Sequence, residues 1–163
     1  MTTDKPRITH IEQSPGKLLW AINRIPTWMF KLGLGGLLGD RFAMVVHRGR
    51  KTGRLNTVIV EVANGSHAEG RIVIVCAYGE RAQWWQNLKH SPAVKLEIGG
   101  KTYMAPRHEF LQKKDTEDAI ASYWSRYPKF GEMLAGNSVF FYPGPVSDHP
   151  DAPTSLAFYL EKT

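Results

Sequence analysis

The sequence contains one cysteine and no long uncharged apolar run. With Cys76 alone the chain can form no internal disulfide, which excludes the cross-linked framework of a small secreted protein. Residues 1–7 lack the apolar core of a secretory signal, so we expect a cytoplasmic protein. The best candidate for a membrane-spanning helix, residues 17–39, is interrupted by Lys17, Arg24 and Lys31. A transmembrane interpretation therefore fails.

Motifs for metal binding and for hydrolase chemistry are also lacking. The six histidines form no pair at the spacing i, i+3 or i, i+4, and Cys76 has no cysteine partner, so we expect no metal site. None of the serines lies in a G-x-S-x-G motif, which leaves a serine hydrolase without support. We interpret His47 and His108 as surface or satisfied core residues of the fold rather than as proton relays.

The composition favours a single folded domain with an anionic partner. The chain has 163 residues and 42% hydrophobic residues, a combination that predicts one globular domain over residues 1–163. The formal net charge of +6 points to an anion, which leaves nucleic acid, acidic lipid or a phosphorylated ligand open at this stage.

Short β-branched segments separated by glycine-rich turns predict an antiparallel β-barrel with added helices. Helical spacing over residues 82–89 and 115–127 predicts two helices, the second capped by Asp115. Residues 142–155, rich in proline and aspartate, predict a loop or lid. The predicted strands are residues 42–46, 57–62, 72–76, 94–98, 101–110 and 156–160.

The N-terminal segment, residues 1–40, has the pattern of a basic amphipathic helix. Within it, Lys17, Arg24 and Lys31 recur every seven residues, and apolar side chains fall on another face, with Trp20 and Trp28 as candidate interfacial rings. We expect Pro26 to divide the segment into two short helices. Two interpretations stay open: the helices pack on the protein's own core, or residues 17–39 make peripheral contact with the inner face of the membrane.

Four permanent cations and a histidine lie within residues 47–54, on a predicted strand-turn-strand. Glycines on both sides let backbone N–H groups converge on an anion, while Arg50 and Lys51 supply charge and Thr52 a hydroxyl donor. The turn is therefore a candidate phosphate site, with a solvated surface loop as the alternative. Near the next predicted helix, Tyr78 and Trp84 indicate either core packing or the wall of a site for a flat anionic ligand.

The basic turn at residues 49–54 and the W-x-x-N-L-x-x-x-P segment at residues 84–92 occur in order, followed by the alternating strand at residues 94–98. In this combination the sequence resembles the deazaflavin-dependent nitroreductase family, over roughly residues 17–134 and again at the last strand. The resemblance implies a six- to seven-stranded antiparallel split β-barrel, like that of pyridoxamine-phosphate oxidases and FMN-binding proteins. It also implies N-terminal, crossover and C-terminal helices.

The resemblance further implies the deazaflavin coenzyme F-420, with FMN as the alternative cofactor, and roles for individual residues. Tyr127 is the implied catalytic residue, donating a hydrogen bond or proton to the reduced acceptor. Phe130 and Met133 imply an apolar acceptor pocket, which residues 137–155 would cover. The implied phosphate-side residues are Arg50, Lys51, Thr52, Gly53, Arg54 and Asn56, and those lining the ring and its linker are Ala77, Tyr78, Trp84 and Asn87.

The function so implied is an oxidoreductase that transfers hydride from reduced F-420 to a small hydrophobic acceptor of quinone, enone or nitro type. The protein's part would be positioning and electrostatics, since the cofactor supplies the hydride. The alternative is a non-catalytic binder of a lipid-like ligand, or of flavin or haem, on the same barrel. Only the net charge and exposed-looking aromatic residues support a third alternative, a nucleic-acid-binding barrel, and we expect no nucleic acid partner. The family resemblance implies a homodimer.

Overall fold

Seven strands and three helices make up the computed structural model, which describes residues 26–129 and 144–161. Helix α1 is described over residues 26–31. Helices α2 and α3 are Gln83–His90 and Lys113–Arg126, and 3-10 turns occupy Gly35–Leu38 and Gly79–Arg81. The strands are β1 Phe42–Arg48, β2 Leu55–Ser66, β3 Arg71–Cys76, β4 Lys95–Ile98, β5 Lys101–Met104, β6 Arg107–Phe110 and β7 Thr154–Tyr159.

The strands form an antiparallel sheet in the order β5-β4-β1-β2-β3-β7-β6. Strands β5 and β6 lie at opposite edges of this sheet, yet only Ala105 and Pro106 separate them along the chain. The sheet must therefore curl until its edges approach each other, which gives the split barrel that was predicted. The prediction of one strand over residues 101–110 is wrong, because Ala105 adopts a positive φ of 45° and Pro106 cannot donate to a strand ladder.

Alternating side chains of the strands fill the barrel. In β1, Ala43 and Val45 point inward and are buried, while their neighbours are partly exposed. Helix α2 adds Trp85 and Leu88 to this core, and the Trp85 ring packs edge-on against Phe110 with centroids 4.8 Å apart. The remaining core residues include Val60, Val62, Ile72, Ile74, Leu96, Ile98, Leu156 and Phe158.

Helix α3 covers the outer face of the sheet at β2, β3 and β7. Its Ala119 and Tyr123 pack with Ala63, Val73 and Ala157 in a second buried cluster. The helix begins in a capping box in which Gln112 is the N-cap and Asp115 accepts the Gln112 backbone N–H. Asp115 therefore caps the helix from its third position and not as the N-cap residue itself, and the helix starts two residues earlier than predicted.

The first described residues present apolar side chains to solvent. Trp28, Leu32, Leu34 and Leu37 are all exposed, and the Lys31 ammonium lies 5.6 Å from the centre of the Trp28 ring. Among the described residues no helix is long and apolar enough to cross a membrane. Residues 17–25 of the predicted amphipathic segment lie outside the described residues, as do Phe130, Met133 and residues 137–143.

A strap of residues 149–152 is fastened onto the 3-10 turn that precedes α2. The Glu80 N–H donates to the Pro150 carbonyl at 3.2 Å, and Arg81 Nε forms an ion pair with Asp151 Oδ1 at 2.7 Å. Gly79 allows this close approach, because a Cβ there would lie 2.5 Å from the Pro150 oxygen. The lid predicted at residues 142–155 is thus, in its described part, a strap bound to the body of the fold.

We expect the substitution Gly79→Ala to destabilise the protein well beyond the cost of backbone strain. Gly79 has a φ of +65°, and the added Cβ would meet backbone atoms that have no room to move. Gly33→Ala is the matched control, since Gly33 has a φ of +73° and open space around it. Thermal unfolding should show a small loss in the control, of about 1 kcal/mol, and a clearly larger one in Gly79→Ala. Equal losses would contradict the strap contact.

Candidate functional site

The basic turn between β1 and β2 is closed by its own backbone. The Gly49 N–H donates to the Arg54 carbonyl at 2.8 Å, and the Gly53 N–H donates back to the Gly49 carbonyl at 2.8 Å. The Thr52 hydroxyl accepts the Arg54 N–H at 3.3 Å. A Cβ on Gly49 would lie 3.0 Å from Thr52 Oγ1 and 3.1 Å from Asn56 Nδ2, so a larger residue would crowd the turn.

A buried amide joins this turn to α2. Asn87 Oδ1 accepts the Arg50 backbone N–H at 3.1 Å and the Arg50 Nη1 at 3.1 Å. The same Nη1 lies 3.0 Å from Gln83 Oε1, one helical turn earlier on α2. Because Gln83 and Asn87 are four residues apart, both side chains lie on one face of the helix and hold the guanidinium between them.

The other end of the Asn87 amide contacts His47. Since Oδ1 accepts from Arg50, Nδ2 is the end that faces His47 Nδ1, at 3.1 Å, and it donates there. His47 is 4% exposed, and this burial lowers its pKa below the usual histidine value. The imidazole is therefore neutral at neutral pH, with its proton on Nε2.

These residues line a cleft of about 410 Å³ between the turn and α2, which we call the basic cleft. No carboxylate is among the described residues that line it, whereas Arg50 and Lys51 bring two cations. Ala82, the N-cap of α2, offers no side-chain oxygen, so the first N–H groups of the helix keep their capacity to bind an anion. The remaining lining residues are His47, Gly49, Thr52, Asn56, Thr57, Val58, Gln83, Trp84 and Asn87.

A second cleft of about 290 Å³ lies at the start of α2 and is lined by Ala77, Tyr78, Arg81, Ala82 and Asp151. We call it the strap cleft, because Asp151 belongs to the strap. The Tyr78 ring is half exposed, and burial raises the pKa of its hydroxyl, which is therefore protonated at neutral pH. Beside it, burial raises the pKa of the Cys76 thiol to about 12, so this cysteine is not a nucleophile.

The structure brings together most of the residues that the sequence indicated. Gly53 and Arg54 shape the turn, and Ala77 and Tyr78 line the strap cleft. Gln83 was missed, although its spacing to Asn87 was a signal that could have found it. His47 was interpreted as a satisfied residue, and its bond to Asn87 confirms that interpretation. The predicted residues that line the basic cleft are Arg50, Lys51, Thr52, Asn56, Trp84 and Asn87.

Tyr127 lies in a different place. Its ring stacks over the Arg41 guanidinium at 4.5 Å and contacts the Tyr123 ring at 5.3 Å, on the side of the sheet that α3 covers. Arg41 in turn donates to Glu61, whose carboxylate also accepts the Tyr123 hydroxyl at 2.8 Å. Among the described residues, those lining the basic cleft and the strap cleft do not include Tyr127.

The fold is that of a split-barrel protein, and its basic cleft brings together two cations with no carboxylate among its described lining residues. The sequence model of the F420H(2)-dependent quinone reductase family matches residues 24–131, and the chain belongs to that family. No curated protein matches the sequence. The resemblance to F-420-dependent reductases is thus confirmed, and the family description names quinones as the acceptors.

Solved structures with similar folds were found at low sequence identity. One described as a domain-swapped dimer is 16% identical, covers 88% of this chain and 99% of its own, and has a TM-score of 0.51. An F420-H2 dependent reductase, FDR-A, is 17% identical over 71% of this chain and 93% of its own, with a TM-score of 0.47. A Clostridium acetobutylicum protein of the pyridoxinephosphate oxidase family, related to general stress protein 26, is 10% identical over 82% of this chain and 84% of its own, with a TM-score of 0.45.

Family membership makes the chain an oxidoreductase that depends on reduced F-420. The basic cleft fits this cofactor, because F-420 carries a phosphodiester and a glutamate tail, and the cleft offers two cations and no lining carboxylate among the described residues. Bound F-420 in its reduced form supplies the hydride; the protein binds and orients it.

Proposed function

We propose that this protein reduces a small hydrophobic acceptor of quinone type, with F-420 held across the basic cleft and the strap cleft. The observation that carries the proposal is the link from Arg50 to Asn87, which places the cationic turn against the start of α2. On the other side of that helix start, the strap cleft combines the side chains of Ala77, Tyr78 and Ala82 with the ion pair of Arg81 and Asp151. A charged tail and a flat ring system would thus find matching surfaces side by side.

In this proposal the turn holds the phosphate side of the cofactor. Arg50 and Thr52 are held by neighbouring groups, whereas Lys51 is exposed and has no hydrogen-bond or ion-pair partner among the described residues. A lysine without a partner is the group that gains most from an arriving anion. Trp84, half-buried at the wall of the cleft, presents a flat surface to the ring or its linker.

Titration of the purified protein with F-420 tests the cofactor site. We expect Lys51→Ala to weaken F-420 binding by about tenfold, the loss of one charge-assisted contact of about 1.4 kcal/mol. Lys101→Ala is the control, because Lys101 is exposed on β5 and does not line the basic cleft. FMN, titrated in parallel, should bind more weakly than F-420. An unchanged dissociation constant in Lys51→Ala would contradict the assignment of the turn.

Hydride transfer to a quinone carbonyl leaves an oxyanion that needs a proton, and Tyr127 is the residue we propose to donate it. Tyr127 is half-buried, and it precedes residues 130–143, which lie outside the described part of the chain. The proposal that Tyr127 donates the proton is supported by the family resemblance and by the phenol group of this residue. The contacts of Tyr127 with Arg41 and Tyr123 are those of a packed side chain.

Oxidation of reduced F-420 in the presence of a naphthoquinone, an enone or a nitroaromatic compound tests the acceptor class. We expect fastest turnover with the naphthoquinone, because the family model that matches this chain describes quinone reductases. Tyr127→Phe should lower kcat by about a hundredfold if the phenol donates the proton. A variant with wild-type kcat would remove Tyr127 from the reaction, and turnover of the nitro compound alone would contradict the quinone proposal.

We further propose that residues 26–38 contact the membrane surface, where a hydrophobic quinone is concentrated. The exposed fractions are 56% for Trp28, 67% for Leu32 and 76% for Leu37, and Lys31 provides a cation beside them. Exposed apolar side chains next to a cation are suited to the interface of an anionic bilayer.

Co-sedimentation with anionic phospholipid vesicles tests this contact. We expect the double variant Leu32→Ser, Leu37→Ser to lose most of its vesicle binding, since both side chains contribute apolar area to the contact. Leu55→Ser is the matched control, because Leu55 is 56% exposed on β2 and lies outside the segment. Equal binding by all three proteins would contradict the proposal. A cytoplasmic location and a homodimer stay predictions.

A further inference from the structure

The Asn87 amide stands between groups of opposite hydrogen-bonding character. Its Oδ1 faces two donors of Arg50, the backbone N–H and Nη1, each at 3.1 Å. Its Nδ2 faces the Nδ1 of His47, also at 3.1 Å. If the amide were turned over, its NH2 group would face both Arg50 donors, and all these contacts would be lost. The two Arg50 donors and the acceptor on His47 therefore favour the same orientation of the amide.

The surroundings of His47 favour the neutral ring that can accept. His47 lies opposite Asn56 of β2 and, from α2, contacts Asn87, and both partners are uncharged. The charged groups that share the cleft with it are Arg50 and Lys51 of the turn, and no carboxylate is among its described lining residues. Burial lowers the pKa of His47, in the same direction as these cations act.

The next strand, β4, carries two charged side chains, which lie on the other face of the sheet. Lys95 is paired with Val46 and Glu97 with Met44, and both of these β1 residues alternate with His47. Lys95 and Glu97 also pair with each other at 2.6 Å. Neither therefore offers His47 a counter-charge that would hold its proton.

We propose that His47 is a positioning residue for the cofactor: as a neutral imidazole it orients the Asn87 amide, which holds Arg50 in the basic cleft, and its protonation undoes this arrangement. The proposal rests on the proposed function, because it concerns the cleft assigned to F-420. A protonated ring carries N–H groups on both nitrogens, so Nδ1 would confront the Asn87 NH2 group, donor against donor. If this clash is relieved by turning the amide over, Arg50 loses both of its bonds to Oδ1.

The sign of the pH effect separates positioning from simple attraction. A protonated His47 adds a positive charge to the cleft, and by charge alone an anionic cofactor should bind more tightly at acid pH. The positioning role predicts the reverse: binding is strongest while His47 is neutral and weakens as the pH falls below the usual histidine range. The pH dependence of F-420 binding therefore shows which effect is larger, the added charge or the lost position of Arg50.

F-420 titrations of the wild type and variants between pH 5 and pH 8 test the proposal. His47→Asn retains an acceptor oxygen near the place of Nδ1 but does not titrate, whereas His47→Leu offers no acceptor. His108→Asn is the control, because burial also lowers the pKa of His108, whose ring packs between Phe110 and Phe158 away from the cleft. Comparing variants at each pH removes any titration of the cofactor itself.

We expect wild type and His108→Asn to lose about tenfold in affinity from pH 7.5 to pH 5, relative to His47→Asn. At pH 7.5, His47→Asn should bind F-420 with nearly the affinity of the wild type. His47→Leu should bind F-420 about tenfold more weakly than His47→Asn at every pH. Tighter wild-type binding at pH 5, or a His47→Leu variant that binds as wild type, would overturn the role of His47. If the wild type binds no F-420 at any pH, the proposed function falls as well.

A measurement without cofactor covers the case in which a variant does not fold. Nitrogen-15 NMR of the wild-type imidazoles at pH 7.5 should show His47 with an unprotonated Nδ1 and a protonated Nε2. On acidification, the Asn87 side-chain NH2 and the Arg50 backbone N–H signals should shift together with the His47 signal. A proton on Nδ1 at pH 7.5 would overturn the proposal, and so would Arg50 and Asn87 signals that do not shift over the pH range in which the His47 signal shifts.

Discussion

The buried amide of Asn87 is the contact on which the arrangement of the site depends. It bridges the turn after β1 and the helix α2, which lie 37 residues apart in sequence, and Asn87 is only 6% exposed. Removing it would leave the Arg50 N–H and the His47 ring without their partner, a loss of about 1–3 kcal/mol for each buried group. The same helix anchors its other face in the barrel through Trp85 and Leu88, so the position of the cleft is tied to the packing of the core.

The division of the site into two clefts follows from where α2 begins. The helix starts without a side-chain cap, its first turn faces the basic cleft through Gln83, and Ala82 lines the strap cleft. The basic cleft holds the cations Arg50 and Lys51 with no carboxylate among its described lining residues, whereas the strap cleft holds the paired charges of Arg81 and Asp151. Ion pairing of Arg81 with Asp151 balances the charge in the strap cleft, while Lys51 presents an exposed cation in the basic cleft to an anionic tail.

Local patterns predicted most of the fold and much of the site. The alternating strand at residues 94–98, the helical spacing at residues 82–89 and 115–127 and the strand-turn-strand at residues 47–54 are short-range signals, and the structure confirms these elements. The break at Ala105, the strap on Gly79 and the bond from His47 to Asn87 depend on contacts between distant segments, which a periodicity does not record. The position of Tyr127 against Arg41 and Tyr123 could not be predicted from the sequence either, because it too depends on a contact between distant segments.

The central claim is that one cofactor lies across the turn and the start of α2, with Asn87 holding Arg50 between them. A crystal structure of the protein with F-420 tests it most directly. We predict the phosphodiester against Lys51, the ring toward Ala77 and Tyr78, and the Asn87 oxygen still on Arg50. A cofactor bound elsewhere, or an Asn87 amide turned away from Arg50 in the complex, would contradict the account.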